Sequence, residues 1–176
     1  MSRRKKSLKN MIEISMIASI YIILTFFSAT LGIAYSGVQF RLSEILTVLP
    51  ILTPNAIPGL VIGCLISNFS SPFGIIDIIF GTISTLISAI LTRLLRNIRL
   101  KGIPILAPLP SVIIGALSVG LMISFFSLGK FYLPLFLTIF FNVFFSQFIV
   151  CYVLGIPFLI ILEKQKIYKR GEEWFV

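Results

Sequence analysis

Apolar residues run along this chain in long blocks separated by short polar stretches. Four blocks count outright, residues 11–33, 73–95, 103–128 and 131–162. Crossing a hydrocarbon core takes about 20 helical residues at a rise of about 1.5 Å each, so each block predicts a membrane-spanning helix. A fifth block, residues 43–69, is interrupted by Pro50, Pro54 and Pro58. Proline breaks a helix interior but suits a first turn, so this block predicts either one long helix or two shorter ones.

Charge chooses between them. Thirteen of the fifteen basic residues fall in three clusters: Arg3 to Lys9, Arg93 to Lys101, and Lys164 to Arg170. Basic clusters flanking spans belong on the cytoplasmic side, so an even number of crossings must separate the first cluster from the second. Splitting the fifth block meets that condition. The expected fold class is therefore all-α: a polytopic membrane protein, a six-transmembrane-helix bundle with both termini cytoplasmic. It forms one integral membrane domain over residues 1–176, with basic tails at about 1–10 and 164–176. The second helix, about residues 43–52, would be only about 15 Å long and must lean on protein or border a cavity. The fifth helix should start raggedly among Pro104, Pro108 and Pro110, and the overlong sixth should kink near Gly155-Ile156-Pro157.

Composition agrees. Hydrophobic residues make up 57% of the chain and charged residues 12%, about half the share of a soluble domain. The absence of histidine removes Ser-His-Asp and Cys-His chemistry and the helical zinc-protease motif. No phosphate-binding G-x-x-x-x-G-K-[ST] loop is present, so any ATP hydrolysis must come from another subunit. Cys64 and Cys151 lie in apolar runs and are expected to be packing residues. No metal, no other cofactor and no nucleic acid partner is expected. The basic start followed by an apolar block imitates a signal peptide, but the block is long enough to span and lacks a clean cleavage site; it is expected to be retained.

Polar residues inside the apolar blocks point to a site. In the six-helix topology Arg41 and Glu44 lie at the outer start of the second helix, Asn68 at the outer end of the third, and Asp77 near the outer start of the fourth. Carboxylates at membrane depth cost about 2.5–3.5 kcal/mol on insertion scales, and Glu44 and Asp77 are expected to be the only deep ones. Together they suggest a polar pocket open to the outside. Structural readings stay open beside it: Arg41 and Glu44, three apart, could pair with each other. Asp77 could serve the helix dipole, with Ser71-Pro72 as the helix start. Gln39 and Asn68 could be ordinary loop and helix-end residues. Gly81, Ser84 and Ser88 continue one small, polar face inward from Asp77. Asn142, Ser146 and Gln147 lie in a phenylalanine-rich helix, and Asn142 and Gln147 are expected to face the bundle. Ser15 and Ser19, with Ala18 beside them, form a small-residue face for internal packing or for a partner subunit.

A paired-carboxylate intramembrane enzyme is conceivable, but neither carboxylate sits in a catalytic motif. A free-standing secondary transporter is usually built from internal repeats, and none is apparent. A small bundle with an external pocket and no ATPase motif fits a ligand-capturing subunit whose coupling machinery lies on other chains.

The run Gly37-Val-Gln39-Phe-Arg41-Leu-Ser43-Glu44-Ile-Leu-Thr-Val-Leu-Pro50 resembles the QueT family. So do Ala56-Ile-Pro58-Gly59-Leu-Val-Ile-Gly63-Cys64 with Asn68, and Asp77-Ile-Ile-Phe80-Gly81-Thr-Ile-Ser-Thr85-Leu. Members are substrate-capture (S) components of energy-coupling factor (ECF) transporters in bacterial-type plasma membranes. The similarity runs through nearly the whole chain, to Tyr152-Val-Leu-Gly155-Ile-Pro157. Where members often carry Gly-Glu, this chain has Ser146-Gln147. The resemblance implies a subunit that captures a deazaguanine precursor of queuosine, or queuine, and assembles with a membrane scaffold subunit and two ATPases. Ser15 and Ser19 match the small-residue motif that contacts the scaffold in S components. A guanine-like edge presents an N–H beside an amino group, a match for the two oxygens of Glu44. Asp77 would meet an aminomethyl cation, and Asn68, Asn142, Gln39 and Gln147 the ring carbonyl and nitrogens. An S component for a flavin or thiamine is the alternative.

Overall fold

Prolines and glycines set where the helices break. The computed structural model describes residues 3–34, 40–100 and 102–165. Among these there is one isolated bridge, Leu100 to Ile103, and no strand. Helix α1 spans Arg3–Thr30, and a 3-10 helix follows over Leu42–Ile51. Helix α2 is Ala56–Asn68, and α3 is Ile75–Leu94 with a single 3-10 turn after it. Helix α4 is Leu109–Leu128. The last rod comprises α5 (Leu133–Phe148), a π-helical stretch (Ile149–Gly155) and α6 (Ile156–Lys164). Among the described residues four stretches are long and apolar enough to cross a membrane: Arg4–Thr30, Ile75–Asn97, Leu109–Phe126 and Leu133–Lys164.

The fifth block does break between Pro50 and Pro58, since the 3-10 helix ends at Ile51 and α2 begins at Ala56. The first piece differs from expectation in its winding. At about 2.0 Å per residue, ten 3-10 residues reach about 20 Å rather than 15 Å. The helix packs against α1, α3 and the π-helical stretch, which bury Leu46, Val48, Leu49 and Ile51. The start of α3 also departs from expectation. Ser71 does not cap the helix; its Oγ accepts from the Phe73 amide at 3.3 Å, within the turn. The helix begins two residues after Phe73, behind Gly74 at φ +62°, a backbone conformation that favours glycine.

Sequential helices pack in order, α1 on α2, α2 on α3, α3 on α4 and α4 on α5. The α1–α2 seam rests on Gly59 and Gly63, where any Cβ would press on Ile17 and Tyr21. Polarity is inverted relative to a soluble domain. Thr25, Asn68, Ser88 and Gln147 are buried, whereas Phe27, Ile62, Ile83, Phe125 and Phe141 are exposed. That is the distribution expected of helices solvated by lipid. The phenylalanines of the last rod form a ladder, Phe136, Phe140, Phe144, Phe148 and Tyr152, each ring stacked on the next.

One buried carboxylate was not expected. Glu13, in α1, is 1% exposed, and its Oε2 accepts from Asn55 Nδ2 at 2.6 Å. Glu44 and Asp77 are therefore not the only deep carboxylates. On α3, Arg93 donates to the carbonyls of Pro50 and Ile51 at 3.0 and 3.2 Å, satisfying the end of the 3-10 helix. The break between the two short pieces is thus held from α1 and from α3. Glu13→Ala removes the acceptor of the Asn55 amide and should lower stability by about 1–3 kcal/mol, with Glu13→Gln milder. Thermal unfolding of the detergent-purified protein checks this; equal melting temperatures for Glu13→Ala and the unmodified chain would show that the contact contributes nothing.

Candidate functional site

Arg41 stands immediately before the 3-10 helix in an extended conformation and turns its side chain inward, leaving it 7% exposed. Its Nε donates to the Ala34 carbonyl at 3.1 Å, Nη1 to Asn68 Oδ1 at 3.3 Å and Nη2 to Asp77 Oδ2 at 3.3 Å. Asp77 lies in the first turn of α3, where the helix dipole favours a carboxylate, and is 2% exposed. Asn68, in the last turn of α2, closes the triangle: its Nδ2 donates to the Asp77 carbonyl at 3.0 Å and to Cys64 Sγ at 3.4 Å. One guanidinium therefore ties the end of α1, the end of α2 and the start of α3 together.

The winding of the 3-10 helix sets what comes next. With three residues per turn, positions three apart eclipse. Arg41, Glu44 and Thr47 thus present one face, and all three line the same cavity. Arg41 forms its ion pair with Asp77; its link to Glu44 is the backbone bond from the Glu44 amide to the Arg41 carbonyl at 3.2 Å. The i, i+3 side-chain pairing left open by the sequence is not the one the fold adopts.

The remaining walls come from α2, α3, α4 and α5. Asp77, Gly81, Ser84 and Ser88 line the cavity from α3, the small polar face expected from their spacing. From Asp77 to Ser88 the wall is about 16 Å long at the α-helical rise. Opposite stand Ser111 and Gly115 of α4 and Gln147 of α5. The space inside the cavity is about 30 Å³, room for a water or two, so a larger guest must part the side chains that line it.

Two glycines make notches for amides. A Cβ on Gly81 would lie under 3.0 Å from Asn68 Nδ2, and one on Gly115 would lie as close to the Gln147 amide. Gln147, with its orientation assigned from its partners, donates from Nε2 to the carbonyls of Ser111 and Val112 at 3.0 and 3.2 Å.

Of the residues singled out from sequence, Arg41, Glu44, Asp77 and Gln147 line this cavity, and Asn68 braces its wall. Asn142 does not join them. It is exposed, because the buried seam of α5 runs through Ile139, Val143, Ser146 and Gln147. Gln39 lies outside the described residues. Ser15 and Ser19 are exposed, with the Ser19 hydroxyl donating to the Ser15 carbonyl at 2.8 Å, and Ala18 is buried between them in sequence. The serines therefore take no part in internal packing. Cys64 lines the cavity and accepts from Thr85 at 3.2 Å, a role beyond simple packing. Thr47 and Ser111, which also line the cavity, were missed from sequence. Only Thr47 carried a signal there, its spacing of three from Glu44. Among the described residues no cluster of three or more His, Cys, Asp or Glu is arranged to hold a metal ion.

Comparison with known proteins adds an independent line. A family profile described as QueT transporter matches residues 11–164. A queuosine precursor transporter, QueT, of Lactococcus lactis subsp. cremoris is 37% identical over 84 residues, covering 48% of this chain and 49% of the relative. The aligned stretch thus spans about half the length of that curated relative. No solved structure matches.

The notch at Gly115 gives a direct test of the cavity wall. Gly115→Ala should drive a methyl group into the Gln147 amide and cost about 1–3 kcal/mol, as overpacking does. Most of that penalty should vanish when Gln147→Ala is added, because the obstructing amide is gone. Melting temperatures of the two single variants and the double variant measure the coupling; strictly additive shifts would mean that the two residues do not touch.

Proposed function

The chain belongs to the QueT transporter family, and on that premise we propose that it is the substrate-binding S component of an ECF-type importer. It is a multi-pass membrane protein of a transporter family. In this reading the two short helices also cross the membrane as a pair, giving six crossings with both termini cytoplasmic in a bacterial-type plasma membrane. The subunit captures a queuosine precursor, a deazaguanine base or queuine, from outside. A scaffold subunit and two ATPases of other chains then drive its uptake.

The observation that carries this reading is the cavity between the 3-10 helix, α3 and α5. It gathers two carboxylates, a guanidinium and several hydroxyls in a bundle whose outside is apolar. Such groups at membrane depth are expensive and mark substrate paths. Glu44 is the group suited to the ligand's paired N–H and amino edge, since two carboxylate oxygens match two adjacent donors. Asn68 and Arg41 act behind it by fixing Asp77 and the mouth. Gln147 stands on the far wall. The exposed face of α1 bearing Ser15 and Ser19 is the proposed contact with the scaffold, because small side chains let another helix approach closely.

Two measurements test this function. Glu44→Gln should weaken capture of a 7-deazaguanine by about 2–5 kcal/mol while the protein remains folded and membrane-inserted. Ligand-induced thermal stabilisation of the purified protein reads the loss, and an unchanged shift would remove Glu44 from the site. Replacing Ser15 and Ser19 together by Leu should spare binding and stop co-purification with the scaffold; retained assembly would place the interface elsewhere.

A further inference from the structure

Asn142 is the polar residue of α5 that the cavity leaves unexplained. It lies nine residues past Leu133, where the helix begins. At the α-helical rise that is about 14 Å, close to the middle of a hydrocarbon core about 30 Å thick. Its side chain is exposed and makes no hydrogen bond to any described residue. A primary amide carries two N–H donors and an acceptor oxygen, and lipid chains satisfy neither kind.

Other polar groups of the spans are provided for within the chain. Ser19 and Thr138 are exposed as well, yet each hydroxyl returns to the carbonyl four residues before it on its own helix. Asn68 and Gln147 are buried, and their amide hydrogens go to acceptors inside the bundle. Among the described residues, Asn142 is the amide that meets lipid in the middle of a span. It does not stand alone on its surface. Thr138, Asn142, Phe145 and Ile149, spaced four, three and four apart, fall on one exposed stripe of the rod, with Phe145 61% exposed.

We propose that this stripe is a contact between two copies of the chain, paired side by side in the membrane with their Asn142 amides hydrogen-bonded to each other. Depth and symmetry single out that occupant. The basic clusters insert every copy in the same orientation, so residues of equal number sit at equal depth. A parallel pair therefore brings Asn142 to face Asn142. The amide is self-complementary: across a two-fold axis each copy's N–H donates to the other's oxygen, so one contact serves both. Interhelical amide bonds of this kind hold membrane helices together, and spacings of four, three and four are those of a helix-pair seam. The two Phe145 rings meet about one turn below. This surface lies on a different helix from the α1 face that bears Ser15 and Ser19, and the inference does not depend on what the cavity captures.

The test uses the purified full-length chain alone in phosphatidylcholine vesicles, where any protein partner must be another copy. Energy transfer between donor- and acceptor-labelled copies, followed as the protein is diluted with lipid, should trace a monomer–dimer equilibrium. Asn142→Leu places an apolar side chain on a lipid-facing site and should raise the dissociation constant by about 5- to 30-fold. Phe145→Cys, which keeps Asn142, should give a disulfide-linked dimer on mild oxidation in the same vesicles. Ile83→Cys, exposed at similar depth on α3, should not, and Cys64 and Cys151 are buried. Energy transfer no greater than random collision gives overturns the proposal, since a chain that stays monomeric alone has its Asn142 partner on another protein or nowhere. An unchanged dissociation constant for Asn142→Leu, or equal cross-linking from Ile83→Cys, overturns it as well.

Discussion

The three-way grip of Arg41 is the constraint on which the rest of the cavity depends. A guanidinium offers a planar fork of donors, and here the fork reaches a backbone carbonyl, an amide and a carboxylate on three segments. Those partners lie 7, 27 and 36 residues away in sequence, so a single side chain ties the segment after α1, the end of α2 and the start of α3 together beside the cavity. Breaking such a buried pair by removing one partner typically costs about 3–5 kcal/mol, because the other charge is left uncompensated. The pair is better understood as a fixture of the cavity than as a net source of stability.

Helical winding does for the cavity what Arg41 does for its mouth. In an α-helix, positions 41, 44 and 47 would drift round the axis by about 60° at each step and share a face only in part. In a 3-10 helix they stack. The sequence between Arg41 and Pro50 thus becomes a ridge of guanidinium, carboxylate and hydroxyl. Long 3-10 runs are uncommon because their hydrogen bonds are poorer. This one is enclosed by α1, α3 and the π-helical stretch, and its carbonyl end is satisfied by Arg93. Two departures from α-geometry therefore pack against each other: the tight helix before Pro50 and the wide one before Pro157. Gly155 permits their close approach, since a Cβ there would meet Val48 at 3.1 Å.

Much of the arrangement is legible in the chain itself. Block lengths, prolines and basic clusters give the rods and the break inside the fifth block. The cost of polar groups in an apolar run brings Arg41, Glu44, Asn68 and Asp77 to one level before any coordinates are considered, and Gln147 joins them only through the family resemblance. What escaped depends on angle or on distant partners. Asn142 is one residue short of the buried Val143, a rotation of about 100°, and that step turns it outward. The burial of Glu13 depends on Asn55, 42 residues on, and near a basic N-terminus a carboxylate looks like a surface residue. The choice of Asp77 over Glu44 as partner of Arg41 follows from the extended backbone at Arg41, which no spacing rule encodes.

That choice has consequences for how an empty site persists in a low-dielectric setting. Two unpaired carboxylates would repel each other and would each carry an insertion cost of about 2.5–3.5 kcal/mol. Pairing one of them within the protein halves the problem and fixes the geometry at the same time. The other carboxylate, Glu44, lines the cavity from the 3-10 helix.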